Sequence, residues 1–483
     1  MADDMAIVAI DQGTSGTKVL VINEAGEILS RGYCGISLRH SAGGGVECDA
    51  QDVWNSIVAA TNQAIAEVNG TYTYSSVALA NQGESILAWD LESTRANTPI
   101  IIWQDSRSAE VARRRQEYSA PVLTKTGLAI DPYFVAPKMT WMRESFNPAG
   151  VITTLDSWLI ARLTGKFVTD CATASRTLLF DINTMQWDAQ LCQMWGLDID
   201  QLPRVLENDA VVGEIICEEI PAIIGVPLAG IIVDQPAALF AQGCFDPGQA
   251  KCTYGTGAFL LANIGSAPQI STHGLATSVA WSIRNSRSYY LDGQVFAASS
   301  AVQWLLDMGL LSNVEEIDTL AQSDSGVFAT PSFVGYGAPH WRSQAKAGIS
   351  GLTLSSSRQE ISRAVVDGIA AQVSELITCM SADGAPITRL RVDGGLTQAR
   401  SLMQMQANLA QIPIDVFPYP DATALGVASL SSLAMNSTLA IGDTVKAWKI
   451  SQSYEPQWSA DRAGEYMSKW RTVVDASLGL DHA

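Results

Sequence analysis

The sequence predicts an α/β protein built from two domains. Short apolar strands alternate with amphipathic helices along the chain, and a strand–turn–strand unit near the start recurs in the middle. The length of 483 residues also exceeds what a single hydrophobic core usually holds. Residues 245–248 contain a Pro-Gly pair typical of a hinge, so we predict domains at residues 1–244 and 245–483. The alternation of strands and helices further predicts mostly parallel sheets.

In the first half, the elements follow from the apolar spacing. Residues 6–10 and 19–22 are predicted strands on either side of a Gly/Thr/Ser turn. Apolar residues recur with helical spacing from Val53 to Val68, and Asp49 before them is a typical N-cap. Residues 76–80 and 86–89 are predicted strands around a polar segment, and the apolar run 230–233 predicts a strand that ends at Asp234.

The second half repeats the opening unit. Residues 250–254 and 259–264 are predicted strands around a Gly-Thr-Gly turn, and the two turns lie 242 residues apart, from Gly13 to Gly255. This separation is half the chain and indicates a weak internal duplication. Residues 358–380 form a predicted long helix capped by serines, residues 390–392 a strand that ends at Asp393, and residues 466–474 part of a last amphipathic helix.

Composition and charge exclude several classes of function. The chain is 47% hydrophobic and 16% charged, which excludes a disordered protein or a coiled coil. Its net charge of −19 repels nucleic acid and anionic lipid. Apolar runs fall short of the ~20 residues of a membrane helix, and the acidic residues 1–5 lack a signal-peptide pattern, so we expect a cytoplasmic protein. Eight scattered cysteines and four histidines favour reduced thiols over disulfides or metal clusters.

Two Gly/Thr turns have the composition of phosphate-binding loops. In the first, glycines let backbone N–H groups approach phosphate oxygens, and the hydroxyls of Thr14 and Ser15 add donors. Lys18 would offset phosphate charge, and Asp11 could hold Mg²⁺ through water. The second turn, Thr253-Tyr-Gly-Thr-Gly257, repeats this pattern. Each turn alone could be an ordinary polar hairpin, but the pair indicates a nucleotide held in a cleft between two domains.

Asp234 stands at a predicted strand end and helix start. The helix dipole would favour its ionised form, which a general base for a substrate hydroxyl requires, although this fragment alone favours a simple N-cap. Polar clusters at residues 81–84 and 102–105 also follow predicted strands and are rich in groups that bind hydroxyls. Trp103 could pack on a carbon skeleton or belong to the core.

Taken in order, these motifs closely resemble the FGGY carbohydrate kinases, and within them the glycerol kinases. The motifs that carry the resemblance are collinear from about residue 6 to residue 435: Asp11-Gln-Gly-Thr14, Asn81-Gln-Gly-Glu84, Trp103-Gln-Asp105, Asp131-Pro-Tyr-Phe134, Asp156-Ser-Trp-Leu159, Ser175-Arg-Thr177, Asp234-Gln235, Tyr254-Gly-Thr-Gly257 and Asp393-Gly-Gly395. The resemblance implies two actin-like (ribonuclease H-type) domains, with ATP and Mg²⁺ in the cleft and a polyol buried beneath them.

The resemblance also implies roles for individual residues. Those around the substrate are Glu84, Trp103, Tyr133, Asp234, Gln235 and Phe259, with Asp234 as the base. Those at the nucleotide are Thr14, Ser15, Lys18, Gly255, Thr256, Gln303 and Gly395, with Asp11 facing the metal. The departures from the glycerol kinase pattern are Gly83 for an arginine, Ser299 for a glycine, Ala399 for an asparagine and Lys18 for an arginine. Gly83 removes a charged donor and opens room, so we expect specificity to move away from glycerol.

The implied activity is transfer of the γ-phosphoryl group of ATP to a primary hydroxyl of a glycerol-like polyol or small carbohydrate. A ketopentose kinase of the xylulokinase type is an alternative, although residues 81–84 resemble the polyol version. An actin- or chaperone-like ATPase would share the fold, but would have no use for the predicted substrate residues. We expect ATP, Mg²⁺ and a small polyol or sugar as ligands, no nucleic acid or membrane partner, and a homodimer or higher homo-oligomer.

Overall fold

A computed structural model describes residues 5–41, 43–68, 70, 72–320, 325–448, 450 and 452–479 of the chain. Residues 1–4, most of the acidic start, lie outside the described residues.

The strands and helices alternate along the chain. The strands are β1 (Met5–Gly13), β2 (Gly16–Asn23), β3 (Ile28–Gly35), β4 (Arg39–Ser41), β5 (Gly45–Cys48), β6 (Thr73–Asn81), β7 (Ile86–Trp89), β8 (Ile100–Ile101), β9 (Val151–Thr154), β10 (Val168–Asp170), β11 (Phe180–Asp181), β12 (Gln186–Trp187), β13 (Arg204–Leu206), β14 (Val211–Glu214), β15 (Pro227–Val233), β16 (Ala250–Tyr254), β17 (Ala258–Gly265), β18 (Ala276–Ile283), β19 (Ser286–Val295), β20 (Phe328–Thr330), β21 (Gly348–Ser350), β22 (Leu390–Asp393), β23 (Ile414–Val416) and β24 (Gln452–Tyr454). The helices are α1 (Ala50–Glu67), α2 (Ala109–Arg114), α3 (Ser119–Thr126), α4 (Val135–Ser145), α5 (Leu155–Thr164), α6 (Cys171–Ala174), α7 (Ala189–Trp195), α8 (Asp234–Ala241), α9 (Ser299–Asp307), α10 (Arg358–Ala382), α11 (Arg400–Ala410), α12 (Ala422–Met435) and α13 (Ala460–Gly479).

Two large sheets share one core arrangement. The first has the order β14-β15-β6-β1-β2-β3, and the second the order β18-β19-β17-β16-β22-β23-β24. In each sheet an antiparallel hairpin, β1–β2 or β16–β17, is extended on one side by a third antiparallel strand. On the other side the first hairpin strand is followed by two parallel strands, β6 and β15 or β22 and β23. This repetition supports the predicted internal duplication and confirms the α/β class.

The expectation of mostly parallel sheets is wrong. In the first sheet only the pairs β1–β6 and β6–β15 are parallel, and the other three neighbouring pairs are antiparallel. The reason lies in the opening turn, where the strands continue to the pair Gly13 and Gly16 and leave a loop of only Thr14 and Ser15. A two-residue loop can join only antiparallel strands, whereas a parallel pair needs a long crossover.

The predicted long helices form where the caps indicate them. The Asp49 side chain accepts a hydrogen bond from the backbone N–H of Gln51 at the start of α1. At the start of α10, Ser357 and Glu360 form a reciprocal capping box. By length and composition α10 could cross a membrane, but 83% of its apolar window is buried inside the molecule, as in a core helix.

Helix α12 belongs to the second half of the sequence but packs on the first sheet. It contacts α8 and the strands β15, β6 and β1. The contact with α8 is close because residue 426 is glycine: a Cβ there would lie 1.9 Å from the carbonyl oxygen of Ala237. The division at residues 244 and 245 therefore stays a prediction, since this helix joins the two halves. All eight cysteines are free.

Candidate active site

A cavity of about 190 Å³ lies between the two hairpins, lined by residues from both halves of the chain. Ten of the predicted site residues line it: Thr14, Ser15, Glu84, Trp103, Tyr133, Asp234, Gln235, Gly255, Thr256 and Phe259. It is also lined by Gly83, Arg176, Val233, Pro236, Thr253, Tyr290 and Asp292. The structure thus brings together most of the predicted substrate and phosphate groups.

The first hairpin turn is fixed to the wall of the cavity through Thr14. The indole N–H of Trp103 donates to the Thr14 hydroxyl at 2.9 Å, and this hydroxyl lies 3.4 Å from Oε1 of Gln82. The backbone N–H of Gln82 in turn donates to the carbonyl of Gln12 at 2.8 Å. These bonds leave the Thr14–Ser15 turn at the ends of the parallel strands, where backbone N–H groups can meet an anion.

The second hairpin turn is supported by the start of α9. The backbone N–H groups of Ala298 and Ser299 donate to the carbonyls of Thr256 and Gly255, at 2.8 and 3.0 Å. Position 257 requires glycine because a Cβ there would lie 2.5 Å from the carbonyl oxygen of Val295. The turn is therefore held rigidly beside the next segment of the chain, as a preorganised anion site would require.

Asp234 begins α8 immediately after β15 ends at Val233, as predicted. Its Oδ1 accepts a hydrogen bond from the backbone N–H of Gln235 at 2.7 Å. The predicted stabilisation of the ionised form by the helix start is outweighed here, because burial and the charges of Asp11 and Glu84 raise the pKa of Asp234 from 3.8 to about 7. Lys251 and the backbone hydrogen bond oppose this rise. Asp234 can therefore accept a proton near neutral pH.

A buried network of ion pairs forms another wall of the cavity. Arg176 donates from Nε to Oε1 of Glu84 at 2.6 Å, from one terminal nitrogen to the Ser278 hydroxyl at 2.9 Å, and from the other to Oδ2 of Asp292 at 2.8 Å. Glu84 has a left-handed backbone with φ of 49°, a strained conformation that is common at functional sites. Arg176 therefore fixes one carboxylate from each half of the chain.

Aromatic rings enclose the remaining side of the cavity. The Trp103 ring makes edge contacts with Tyr133 and Phe259, with centroid separations of 6.0 and 5.6 Å. Tyr133 also stacks on Phe296 at 5.6 Å. Burial raises the pKa of Tyr133 well above its usual value, so its phenol stays neutral. Apolar faces beside carboxylates suit a ligand with a carbon skeleton and several hydroxyls.

Comparison with known proteins identifies the family. Residues 6–241 match the N-terminal domain, and residues 250–435 the C-terminal domain, of the FGGY family of carbohydrate kinases. The chain belongs to this family. It is an ATP-dependent carbohydrate kinase, and its two sheet-rich halves are the actin-like domains of that fold.

Relatives of this kinase match it over nearly its whole length. It is 35% identical to a glycerol kinase of Bordetella parapertussis over 495 residues, which cover 98% of this chain and 97% of the relative. The solved glycerol kinase of Plasmodium falciparum with ADP has a TM-score of 0.88 at 30% identity, with 98% of each chain covered. A xylulose kinase from Lactobacillus acidophilus has a TM-score of 0.87 at 19% identity, with 99% and 98% covered, and shares the fold.

Four predicted nucleotide and metal residues do not line the cavity of this kinase. Lys18 instead pairs with Asp421 at 2.9 Å, and Asp11 lies on β1 opposite Ala80 of β6. Gln303 on α9 is exposed and donates to Asp307 at 2.8 Å, and Gly395 is exposed with no atom within 4 Å of where its Cβ would be. These last two positions leave open surface outside the cavity on the second half of the chain.

The metal expectation can be tested on the oxygen donors present. Asp11 and Asp234 lie at the carboxyl ends of β1 and β15, which flank β6, and the charge of Asp11 raises the pKa of Asp234. Burial likewise raises the pKa of Asp11 to about 6, against the charge of Lys18. The described residues contain no group of three or more His, Cys, Asp or Glu side chains that could hold a metal ion. Carboxylate oxygens are nevertheless the ligands that Mg²⁺ prefers, and the ion usually keeps several waters, so this carboxylate pair fits it.

Sequence reasoning did not identify three cavity residues of this kinase. Arg176 stands in the Ser-Arg-Thr motif but had no assigned role, and Tyr290 and Asp292 lie in β19 without a motif. A signal for them was present, because Asp292 is a charged residue inside the strand-like run Tyr289-Tyr-Leu-Asp-Gly-Gln-Val295. A charged residue inside such a strand indicates a buried partner or a ligand.

Proposed function

We propose that this kinase transfers the γ-phosphoryl group of ATP to a primary hydroxyl of a glycerol-like polyol or small carbohydrate, with Asp234 as the general base. The observation that carries the proposal is the position of Asp234. Its carboxylate, with a pKa of about 7, lines one cavity together with both Gly/Thr turns, the buried Glu84 and the aromatic wall. A base with a pKa near the working pH suits abstraction of a hydroxyl proton.

In the proposed step, the substrate hydroxyl oxygen forms a bond to the γ-phosphorus as the bond from that phosphorus to the β,γ-bridging oxygen breaks. The hydroxyl proton passes to Asp234, and ADP leaves with the electron pair of the broken bond. Glu84 would orient the other hydroxyls, Trp103, Tyr133 and Phe259 would cover the carbon chain, and Gln235 would line the site beside the base.

The phosphates would lie between the two turns. Backbone and hydroxyl donors of Thr14, Ser15, Gly255 and Thr256 suit them, since these residues line the same cavity. Gln303 and Gly395 would accept the nucleoside on the open surface, and Lys18 would balance charge near the first turn. Asp11 would hold Mg²⁺ through water, and the ion would neutralise part of the phosphate charge.

The substrate class follows from two further observations. Relatives at 35% identity are named glycerol kinases, which supports a polyol. Gly83 lines the cavity without a side chain, which supports a substrate larger than glycerol. The xylulokinase-type alternative has support in the fold alone, at 19% identity. An ATPase without a small substrate would not need the aromatic wall or Glu84.

A coupled ADP-release assay over C3 to C6 polyols and ketoses tests the proposal. We expect at least one polyol to stimulate ADP release strongly above the rate with ATP alone, and the stimulation to require Mg²⁺. The proposal would be refuted if none of these compounds raised ADP release above the rate with ATP alone. The cytoplasmic location and the homo-oligomeric state are further proposals, and light scattering on the purified protein tests the second.

A further inference from the structure

Asp292 has one oxygen without a partner. It lies on β19 with only 3% of its surface exposed, and it lines the cavity. Its Oδ2 accepts hydrogen bonds from Arg176, at 2.8 Å, and from Nε2 of Gln294. Its Oδ1 is buried and accepts no hydrogen bond from any described residue. A carboxylate at the edge of a ligand cavity therefore keeps a free acceptor.

This free acceptor is unusual because buried polar atoms almost always have partners. The contacts of Arg176 run to Glu84, Ser278 and Oδ2 of Asp292, and none of them satisfies Oδ1. A ligand hydroxyl that donates to Oδ1 would complete the network. The nine-tenths buried carboxylate is thus the part of the cavity wall whose hydrogen bonding a polyol would complete.

The surroundings of Asp292 provide room and a second polar group. Tyr290 lies two residues earlier on the same face of β19 and also lines the cavity. Its phenol is neutral because burial raises its pKa. The charge of Arg176 opposes this rise, and the charges of Asp292 and Glu84 add to it. Gly83, from the other half of the chain, lines the cavity without a side chain. Hydroxyls of a longer chain could therefore enter this part of the cavity.

The position of Asp292 sets which hydroxyl it can contact. Asp234 receives the reacting hydroxyl in the proposed function, and Arg176 engages only Oε1 of Glu84, which leaves Oε2 for a neighbouring hydroxyl. A three-carbon polyol has one hydroxyl left to reach a third carboxylate, on a strand of the second half of the chain. A substrate with one or two further carbons extends farther and has additional hydroxyls for this contact.

We propose that Asp292 is a specificity-determining residue that accepts a hydrogen bond from a hydroxyl remote from the phosphorylated one, so that the substrate is a polyol or sugar of four or five carbons. This inference rests on the proposed function and deepens it. Arg176 acts here as a positioning residue, because it holds the Asp292 carboxylate through Oδ2 and leaves Oδ1 free.

The test is a comparison of kcat/KM for glycerol and for four- and five-carbon polyols and ketoses, with wild type and with Asp292→Asn. We expect wild type to prefer at least one longer compound by about tenfold. We expect Asp292→Asn to lower kcat/KM for that compound at least ten times more than for glycerol, because only the longer chain loses a hydrogen bond. A deoxy analogue of the preferred compound, lacking the remote hydroxyl, should react equally with both proteins.

A matched control is Asp415→Asn. Asp415 is equally buried, lies in the same sheet and is paired with Arg389 at 2.7 Å, but it is on β23 and does not line the cavity. This variant should leave the preference ratio unchanged. If Asp292→Asn shows no cooperative unfolding transition, Asp292→Glu replaces it. This variant keeps the charge that pairs with Arg176 and extends the side chain by one methylene. It should also lower kcat/KM for the longer substrate more than kcat/KM for glycerol.

The outcomes separate this inference from the function beneath it. The inference is overturned if wild type prefers glycerol to every longer compound, or if the variant loses kcat/KM equally for short and long substrates. Either result leaves the kinase proposal unaffected. Failure of wild type to phosphorylate any compound overturns the proposed function, and this inference with it.

Discussion

Replacing Asp234 by asparagine removes the proton acceptor and changes little else in the site. Asparagine has the same size, and its side-chain oxygen can still accept the hydrogen bond from the backbone N–H of Gln235 that Oδ1 now receives at 2.7 Å. A general base contributes about 10²- to 10⁴-fold to rate, so we expect kcat to fall by that factor, which corresponds to about 3–5 kcal/mol in the activation barrier. ATP should still bind, because the proposed phosphate donors are on the two turns.

The pH dependence adds a second signature of the same group. Burial, Asp11 and Glu84 raise the pKa of Asp234 to about 7, and a base acts only when deprotonated. Wild-type kcat/KM should therefore level off above pH 7 and fall by about tenfold for each pH unit below it, or about a hundredfold by pH 5. A carboxyl with its ordinary pKa of 3.8 would give a nearly flat profile over this range. The residual kcat/KM of Asp234→Asn should not show this dependence on pH.

The assay is coupled ADP release with the best polyol, accompanied by calorimetric titration of an ATP analogue. Asp49→Asn is the matched control, because it removes a carboxylate at another helix start that does not line the cavity, and asparagine caps a helix equally well. An Asp234→Asn enzyme that keeps more than a tenth of wild-type turnover, or the same pH profile, would show that another group takes the proton.

Three further outcomes follow from the geometry. Gly83→Arg should shift the kcat/KM ratio by about tenfold toward glycerol, since its Cβ would lie 3.0 Å from a Val233 methyl that can move slightly; an unchanged ratio would contradict this. Gly426→Ala should lower the free energy of unfolding in urea by more than about 2 kcal/mol, because its Cβ would overlap the Ala237 carbonyl, whereas Gly442→Ala, with no atom within 4 Å, should change it by less than about 0.5 kcal/mol. Small-angle scattering should show a smaller radius of gyration with polyol and a non-hydrolysable ATP analogue together; an unchanged radius with both bound would argue against closure of the cleft.

Features that depend on neighbouring residues could be predicted from the sequence. The Asp49 cap, the serine cap of α10 and the two Gly/Thr turns are encoded within a few residues, and the structure has each of them. The position of Asp234 at a junction of strand and helix is similarly local. The resemblance to known kinases then brought the separate motifs together into one site, and ten of its residues line the cavity.

Features that depend on distant residues could not be predicted. Arg176 pairs with Glu84 and Asp292, which are separated from it by 92 and 116 positions in the sequence. No local pattern predicts such a pair. Lys18 pairs with Asp421, from the far end of the chain, so its local sequence indicated a phosphate contact that the cavity lining does not include. The direction of the Asp234 pKa shift also depends on burial and on charges from other strands, which outweigh the local helix dipole.

Phosphorus NMR of the complete reaction, with ATP, Mg²⁺ and the best polyol, shows directly whether this kinase phosphorylates a primary hydroxyl. We expect the γ-phosphate signal to be replaced by a phosphate monoester signal coupled to two methylene protons, in amounts equal to the ADP formed. That coupling would show transfer to a primary hydroxyl. Inorganic phosphate as the product, with no monoester from any polyol or sugar, would contradict phosphoryl transfer to a hydroxyl and identify an ATPase instead.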